Sequence, residues 1–197
     1  MKVDLSFYKR DDVCLIAREL LGKTLATKVD GNVVRGKIVE TEAYSEIERA
    51  CHGFGKKITP RTEVLFAEGG VAYVYLIYGM YELFNVVTNK EGTGEAVLVR
   101  AIEPLENQDL MAERRGFPKG KYSLSSGPGK LSQALDITRR HNKERLNGNT
   151  IWIEEGIYIN DFEIETSPRI GVDYAGDDAK LPWRFYIKDN PWVSKIR

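Results

Sequence analysis

Two stretches carry the residue types that do chemistry. From Lys37 to His52, KIVETEAYSEIERACH, come Glu40, Glu42 and Tyr44 at two-residue intervals, then His52, one of only two histidines in the chain. From Val71 to Asn85, VAYVYLIYGMYELFN, come four tyrosines within nine residues, then an asparagine where an apolar residue would fit. Carboxylates move protons, aromatic faces stack and an amide reads edges. That set suits a planar heterocycle better than a metal ion. Spacing alone leaves plain alternatives standing: paired acids often just solvate a strand face, and strand tyrosines and lone histidines often serve the core.

The elements that must hold these residues follow from local pattern. Val13, Ile16, Ala17, Leu20 and Leu21 recur at helical spacing behind Asp11 and Asp12, and Gly22 supplies a stop. Residues 23–44 read as a hairpin turning at Asp30-Gly31. In its second strand a period of two puts Ile38, Glu40, Glu42 and Tyr44 on one face. Residues 45–70, with Gly53, Gly55 and Pro60, read as a loop, and Lys56, Lys57 and Arg61 give it charge suited to a phosphate backbone. VAYVYLIY at 71–78 is apolar or aromatic throughout, a strand expected to be covered on both faces; Gly79 ends it and leaves Tyr78 beside a turn. ELFNVVT at 82–88 is its antiparallel partner, in which Asn85 needs hydrogen-bond partners. EAVLVRAIEP is a further strand whose Arg100 shares an apolar face, so it must be paired or functional.

A helix is expected over 105–116 and another opening at Pro128, with Lys130 in a first turn whose free N–H groups would suit an anion. Residues 139–149 read as a basic loop, and IWIEE, EIETSPRIGV and PWRFYIK as strands alternating with turns. Strands outnumber helices and are mostly joined by short turns. The expected class is α+β: one domain with a curved, mainly antiparallel and partly barrel-like sheet and packed helices.

Composition narrows the function. At 197 residues, 42% hydrophobic and 29% charged, the chain is an ordinary globular one. Twenty-nine acids balance twenty-nine bases, which counts against a strong nonspecific nucleic-acid binder without excluding one basic face. Cys14 and Cys51 cannot build a disulfide framework, and no cysteine spacing suits a metal. No apolar run approaches the ~20 residues of a membrane span, and MKVDLSFYKRDDV lacks the apolar core of a secretion signal. A cytoplasmic setting is expected, nucleoid-associated in a prokaryote.

Taken in order, VETEAY (39–44), ACH (50–52), TPR (59–61), YVYLIYGMY with LFN (73–85), LVRAIEP (98–104), GPGKLSQAL (127–135), PRIGV and RFYIKDNPWVS make the sequence similar to the alkyladenine, or mammalian-type 3-methyladenine, DNA glycosylases. The resemblance runs from about residue 14 to the C-terminus and implies a single catalytic domain over 1–197. It implies a base-excision-repair enzyme that flips alkylated or deaminated purines out of duplex DNA and hydrolyses the N-glycosidic bond, with no lyase step. It assigns Glu42 to activating water and Arg100 to the vicinity of that water and the nucleotide backbone. Tyr44, Tyr75 and His52 would enclose the flipped base, Asn85 would discourage guanine, and Tyr78 would be the wedge entering the duplex. Lys56, Lys57, Arg61 and Lys130 are the expected backbone contacts, and Glu40 is left structural. Gly53 and Phe54 depart from vertebrate members at the pocket rim, which bears on lesion preference. The expected partner is double-stranded DNA, bound by a monomer, with no cofactor, no metal and no membrane.

Two other readings compete. A noncatalytic module would use the same tyrosines to stack bases and release none. A carbohydrate hydrolase would use Glu40 and Glu42, but acids adjacent on one strand face lie on one side of a substrate rather than flanking its bond.

Overall fold

A computed structural model describes residues 1–195. The sheet formed by these residues has eight strands, with all the pairings antiparallel. In chain order they are β1 Thr24–Val29, β2 Asn32–Ser45, β3 Ala72–Ile77, β4 Tyr81–Val87, β5 Glu95–Glu106, β6 Ile151–Glu154, β7 Ile164–Ser167 and β8 Arg184–Ile187. The main path runs β3-β4-β5-β2-β1-β6, while β8 pairs with both β2 and β7. Among the described residues the terminal strands β3 and β6 do not pair with each other, so the curved sheet stays open rather than closing as a barrel.

Strand β2 is the hub. One edge pairs with β5 along nearly its whole length; the other pairs with β1 up to Lys37 and with β8 from Glu40 to Glu42. Its register with β5 slips twice in quick succession. Between Ile38 and Glu40 it advances two residues against one, and between Glu40 and Thr41 one against two, leaving Val39 and Arg100 as the extra residues of paired bulges. Bulges re-aim side chains, so the strict alternation expected from Ile38 to Tyr44 breaks at Val39 and resumes only from Glu40.

Helix α1, Val13–Glu19, forms as its spacing dictates: the Asp12 carboxylate caps the Leu15 N–H at 2.8 Å, and Val13, Ile16 and Ala17 are buried. It backs β2 directly, since Thr41 Oγ1 donates to the Ala17 carbonyl at 2.9 Å. With Thr41 turned to the helix, Glu40 and Glu42 must project from the other face of the strand. Helix α2 is shorter than expected, Gln108–Arg115, because β5 continues to Glu106. Helix α3, Pro128–Ala134, packs on β4 and β5, and Gly129 is required there: a Cβ would lie 2.9 Å from Cδ1 of Tyr81. The main core gathers Ile16, Leu25, Ile38, Phe84, Val99, Leu131 and Leu135 between helices and sheet. A smaller cluster of Val64, Leu65, Phe66 and Tyr73 supports the aromatic strand.

Candidate active site

Glu42 is wholly buried, at 0% exposure, which overturns the solvated-face reading of the paired acids. Its position follows from register: β5 places Leu98 beside it and β8 places Arg184. Oε1 accepts the Ile170 backbone N–H at 2.8 Å and faces Nη1 of Arg100 at 3.2 Å, and Oε2 accepts the Tyr44 phenol at 2.7 Å. A carboxylate has about four acceptor positions; these three partners leave one on Oε2.

Tyr44, Arg100 and Ile170 all line a cavity of about 570 Å³. Glu42 therefore sits just behind its wall, with every direct partner on the cavity surface. His52, Tyr75, Tyr78, Asn85 and Lys130 line the same cavity. Its volume falls in the range of small-ligand sites.

The aromatic wall is built from β3 and the loop after β2. Tyr75 meets the His52 ring edge-on at 4.7 Å and lies tilted by 35° against the Tyr73 ring at 5.1 Å, and His52 Nδ1 lies 2.9 Å from the Tyr73 hydroxyl. Burial, and secondarily the Arg61 charge, pushes the His52 pKa down to about 4, so the imidazole is neutral at pH 7. Burial, reinforced by the Glu42 carboxylate, raises the Tyr44 phenol well above its ordinary range and keeps it a donor. Asn85, opposite Tyr73 in the β3–β4 ladder, satisfies its amide on the Tyr73 carbonyl at 3.2 Å and the Leu83 carbonyl at 3.5 Å. Tyr78 occupies the hairpin tip, 82% exposed, with a left-handed φ of 53°.

Arg100 is paired, as its buried position demands. Burial opposes its charge, but Glu42 and Glu40 together outweigh burial and hold its pKa up. Nε reaches Glu40 Oε1 at 3.1 Å while Nη1 reaches Glu42.

The expected phosphate contacts do not form one group. Lys56 and Lys57 are exposed on the loop after His52, Lys56 lying 3.7 Å from Glu46. Arg61 is exposed but spreads its guanidinium 5.0 Å from the Tyr75 ring centre, which makes it part of the aromatic cluster. Lys130 lies on the cavity wall with Nζ 2.8 Å from Ser123 Oγ.

Several site residues escape sequence reasoning. Arg169 is buried behind Tyr44, its guanidinium 4.7 Å from the ring centre, and grips Glu48 through both nitrogens at 2.8 and 2.9 Å. Tyr174 stands at the cavity rim and donates to the Ala50 carbonyl. Ile170 contributes only its backbone. A single arginine in PRIGV and a backbone N–H have no periodicity, so the motif's presence was the only available signal.

The chain matches known proteins over almost its whole length. A family model described as methylpurine-DNA glycosylase matches residues 6–191. A protein of Alkaliphilus oremlandii is 45% identical over 203 residues, covering 99% of this chain and all of its own. One of Clostridium acetobutylicum is 47% identical over 206 residues, covering 100% of this chain and 99% of its own. Both bear the name "Putative 3-methyladenine DNA glycosylase".

Proposed function

The chain belongs to the methylpurine-DNA glycosylase family, hydrolases of N-glycosyl bonds that act in DNA repair, and on that premise we propose that it excises alkylated and deaminated purines by driving a Glu42-activated water at the sugar. Its substrates are duplex DNA bearing 3-methyladenine, 7-methylguanine, hypoxanthine or ethenoadenine. The observation that carries this reading is the carboxylate of Glu42, whose bonded partners all line the cavity and leave one acceptor position for a water.

A base inside a duplex is out of reach, so the nucleotide is swung out at a cost of a few kcal/mol. Stacking against Tyr44 and Tyr75 returns roughly 1–3 kcal/mol per base. Tyr78 enters the gap in the duplex, and Lys56, Lys57, Arg61 and Lys130 hold the phosphates. Alkylation at N3 or N7 makes the purine cationic and a better leaving group. A neutral His52 then meets that cation without repulsion, while Asn85 crowds the exocyclic amine of guanine. As the glycosidic bond breaks, the sugar approaches an oxocarbenium ion, which an anionic Glu42 stabilises while taking a proton from water. Release is by water alone, with no amine nucleophile and no lyase step. A neutral lesion needs its leaving base protonated.

The test is base release from a panel of lesion-bearing duplexes by wild type and Glu42→Gln. The variant should lose at least about a hundredfold in rate, the scale of general-base catalysis, while still binding abasic-site duplex. Borohydride should trap no covalent adduct. Undiminished release by Glu42→Gln would remove Glu42 from the mechanism.

A further inference from the structure

Two residues before Glu42 on the same strand, Glu40 is equally buried, and nothing in the chemistry above uses it. It is also more heavily bonded than Glu42. Oε1 accepts Arg100 Nε at 3.1 Å, Arg184 Nε at 2.7 Å and Ser194 Oγ at 2.7 Å, and Oε2 accepts the Ser194 backbone N–H at 2.7 Å. Arg184 is fixed in turn on Ser167 Oγ and the Ser194 carbonyl. Glu40 therefore has no freedom to swing.

An arginine facing a lone carboxylate closes on it as a two-point fork. Arg100 does not do this to Glu42. Its Nε edge is turned to Glu40, and its nearest approach to Glu42 is Nη1 to Oε1 at 3.2 Å. Oε2 of Glu42 is left to Tyr44 and to one further donor. The bulge that re-aims Arg100 sits between Glu40 and Thr41, which places its guanidinium across both acids. A purely structural explanation is weak: several buried charges cost several kcal/mol each to desolvate, and apolar packing usually serves stability as well or better.

We infer that Glu40 is a positioning residue for the glycosylase reaction, holding Arg100 by its Nε edge so that Glu42 keeps an oxygen open to the attacking water. The inference rests on the reading of Glu42 given above.

Its consequence is a direction in pH. The charged and titratable groups facing Glu42 are Tyr44 on its own strand and Arg100 on β5, and its charge also reaches Tyr75 on β3 and Arg169 and Tyr174 in the segment after β7. Arg184 on β8 is its cross-strand neighbour. Those facing Glu40 are Arg100, Arg184 and Tyr186. Glu40→Gln removes a nearby negative charge and releases Arg100 to fork onto Glu42. Both changes favour ionised Glu42, so the acid limb of the pH–rate profile moves to lower pH. Ser194→Ala does the opposite: with one donor gone, Glu40 Oε1 draws Arg100 more strongly and Glu42 is held less.

The experiment is single-turnover release of hypoxanthine from duplex DNA across pH, for wild type, Glu40→Gln, Ser194→Ala and Glu42→Gln, with abasic-duplex binding measured alongside. For Glu40→Gln the acid limb should fall by about one pH unit, the lower end of what a neighbouring charge does. Its plateau rate should drop about tenfold or more, a fraction of the general-base contribution, with binding little changed. For Ser194→Ala the limb should rise. Limbs that coincide with wild type in both variants overturn the inference, however the rates or melting temperatures change. If Glu40→Gln does not fold, the Ser194→Ala limb decides alone. An active Glu42→Gln overturns the underlying reading; an inactive Glu42→Gln with unmoved limbs overturns only the role of Glu40.

Discussion

The phenol of Tyr44 donates to Oε2 of Glu42 at 2.7 Å, two positions away on the same strand. One side chain is thus both cavity wall and hydrogen-bond donor to the buried carboxylate, and substitution can separate the two. Tyr44→Phe keeps the stacking face and should leave half-saturation by lesion DNA unchanged, while base release falls by about ten- to a hundredfold, the worth of a single hydrogen bond to a charged group. Tyr44→Ala loses the face as well and should weaken lesion binding by about 1–3 kcal/mol. Single-turnover rates at several enzyme concentrations distinguish the two; equal losses of affinity in both variants would show that the ring does not stack.

Arg100 bridges Glu40 and Glu42 at 3.1 and 3.2 Å with all three side chains buried or nearly so. Arg100→Met leaves two like charges facing each other, with Arg184 paired to Glu40 and Arg169 reaching Glu42 only through its field. The expected loss is about 3–5 kcal/mol of stability, the usual result of breaking a buried pair from one side. The sign with pH is fixed: acid protonates one of the orphaned acids, so the stability gap to wild type should narrow as pH falls. Denaturant midpoints at neutral and acid pH measure it. A gap independent of pH would mean the two carboxylates are not what the arginine compensates.

His52 supplies a second pH dependence, of separate origin. Its pKa is lowered to about 4 by burial and by Arg61, so the unfolded chain takes up the proton first as pH falls. The stability this represents is present in full above the ordinary histidine value, about 6.5, and is lost as pH falls from there toward 4. Relative to His52→Gln, which has no such proton to bind, wild type should lose on the order of 2–3 kcal/mol across that window. Parallel stability curves would show that the imidazole is not held neutral.

The sequence was most legible where a pattern has a period. α1, the Asp30-Gly31 hairpin, the aromatic strand and its Asn85-bearing partner all lie where alternation or helical spacing puts them. What broke the period was also what built the site. The paired bulges at Val39 and Arg100 interrupt the expected face of β2, and no spacing rule announces them. Burial of Glu40 and Glu42 could not be read either, because it comes from β8 and the segment after β7, more than a hundred residues downstream. The charge of Arg61 suits a phosphate contact, but its place over Tyr75 depends on how the loop folds back across the sheet. Arg169 and Ser194 act through geometry of this long-range kind.

Tyr78 holds a backbone conformation that an aromatic residue rarely adopts, φ 53°, and exposes 82% of its surface. Neither feature helps the free protein. A left-handed non-glycine residue costs on the order of 1 kcal/mol, and an exposed ring gains nothing from burial. Glycine adopts that conformation without strain, so Tyr78→Gly should be neutral to slightly stabilising in thermal unfolding. The same variant should lose base release from duplex DNA, because nothing then fills the gap left by the flipped nucleotide. It should retain more of its activity on a lesion in single-stranded DNA, where no stack has to be broken. The pair of measurements sets the strained tip apart as a device for duplex entry. If Tyr78→Gly releases base from duplex at the wild-type rate, the ring at the tip serves another purpose and the wedge belongs elsewhere.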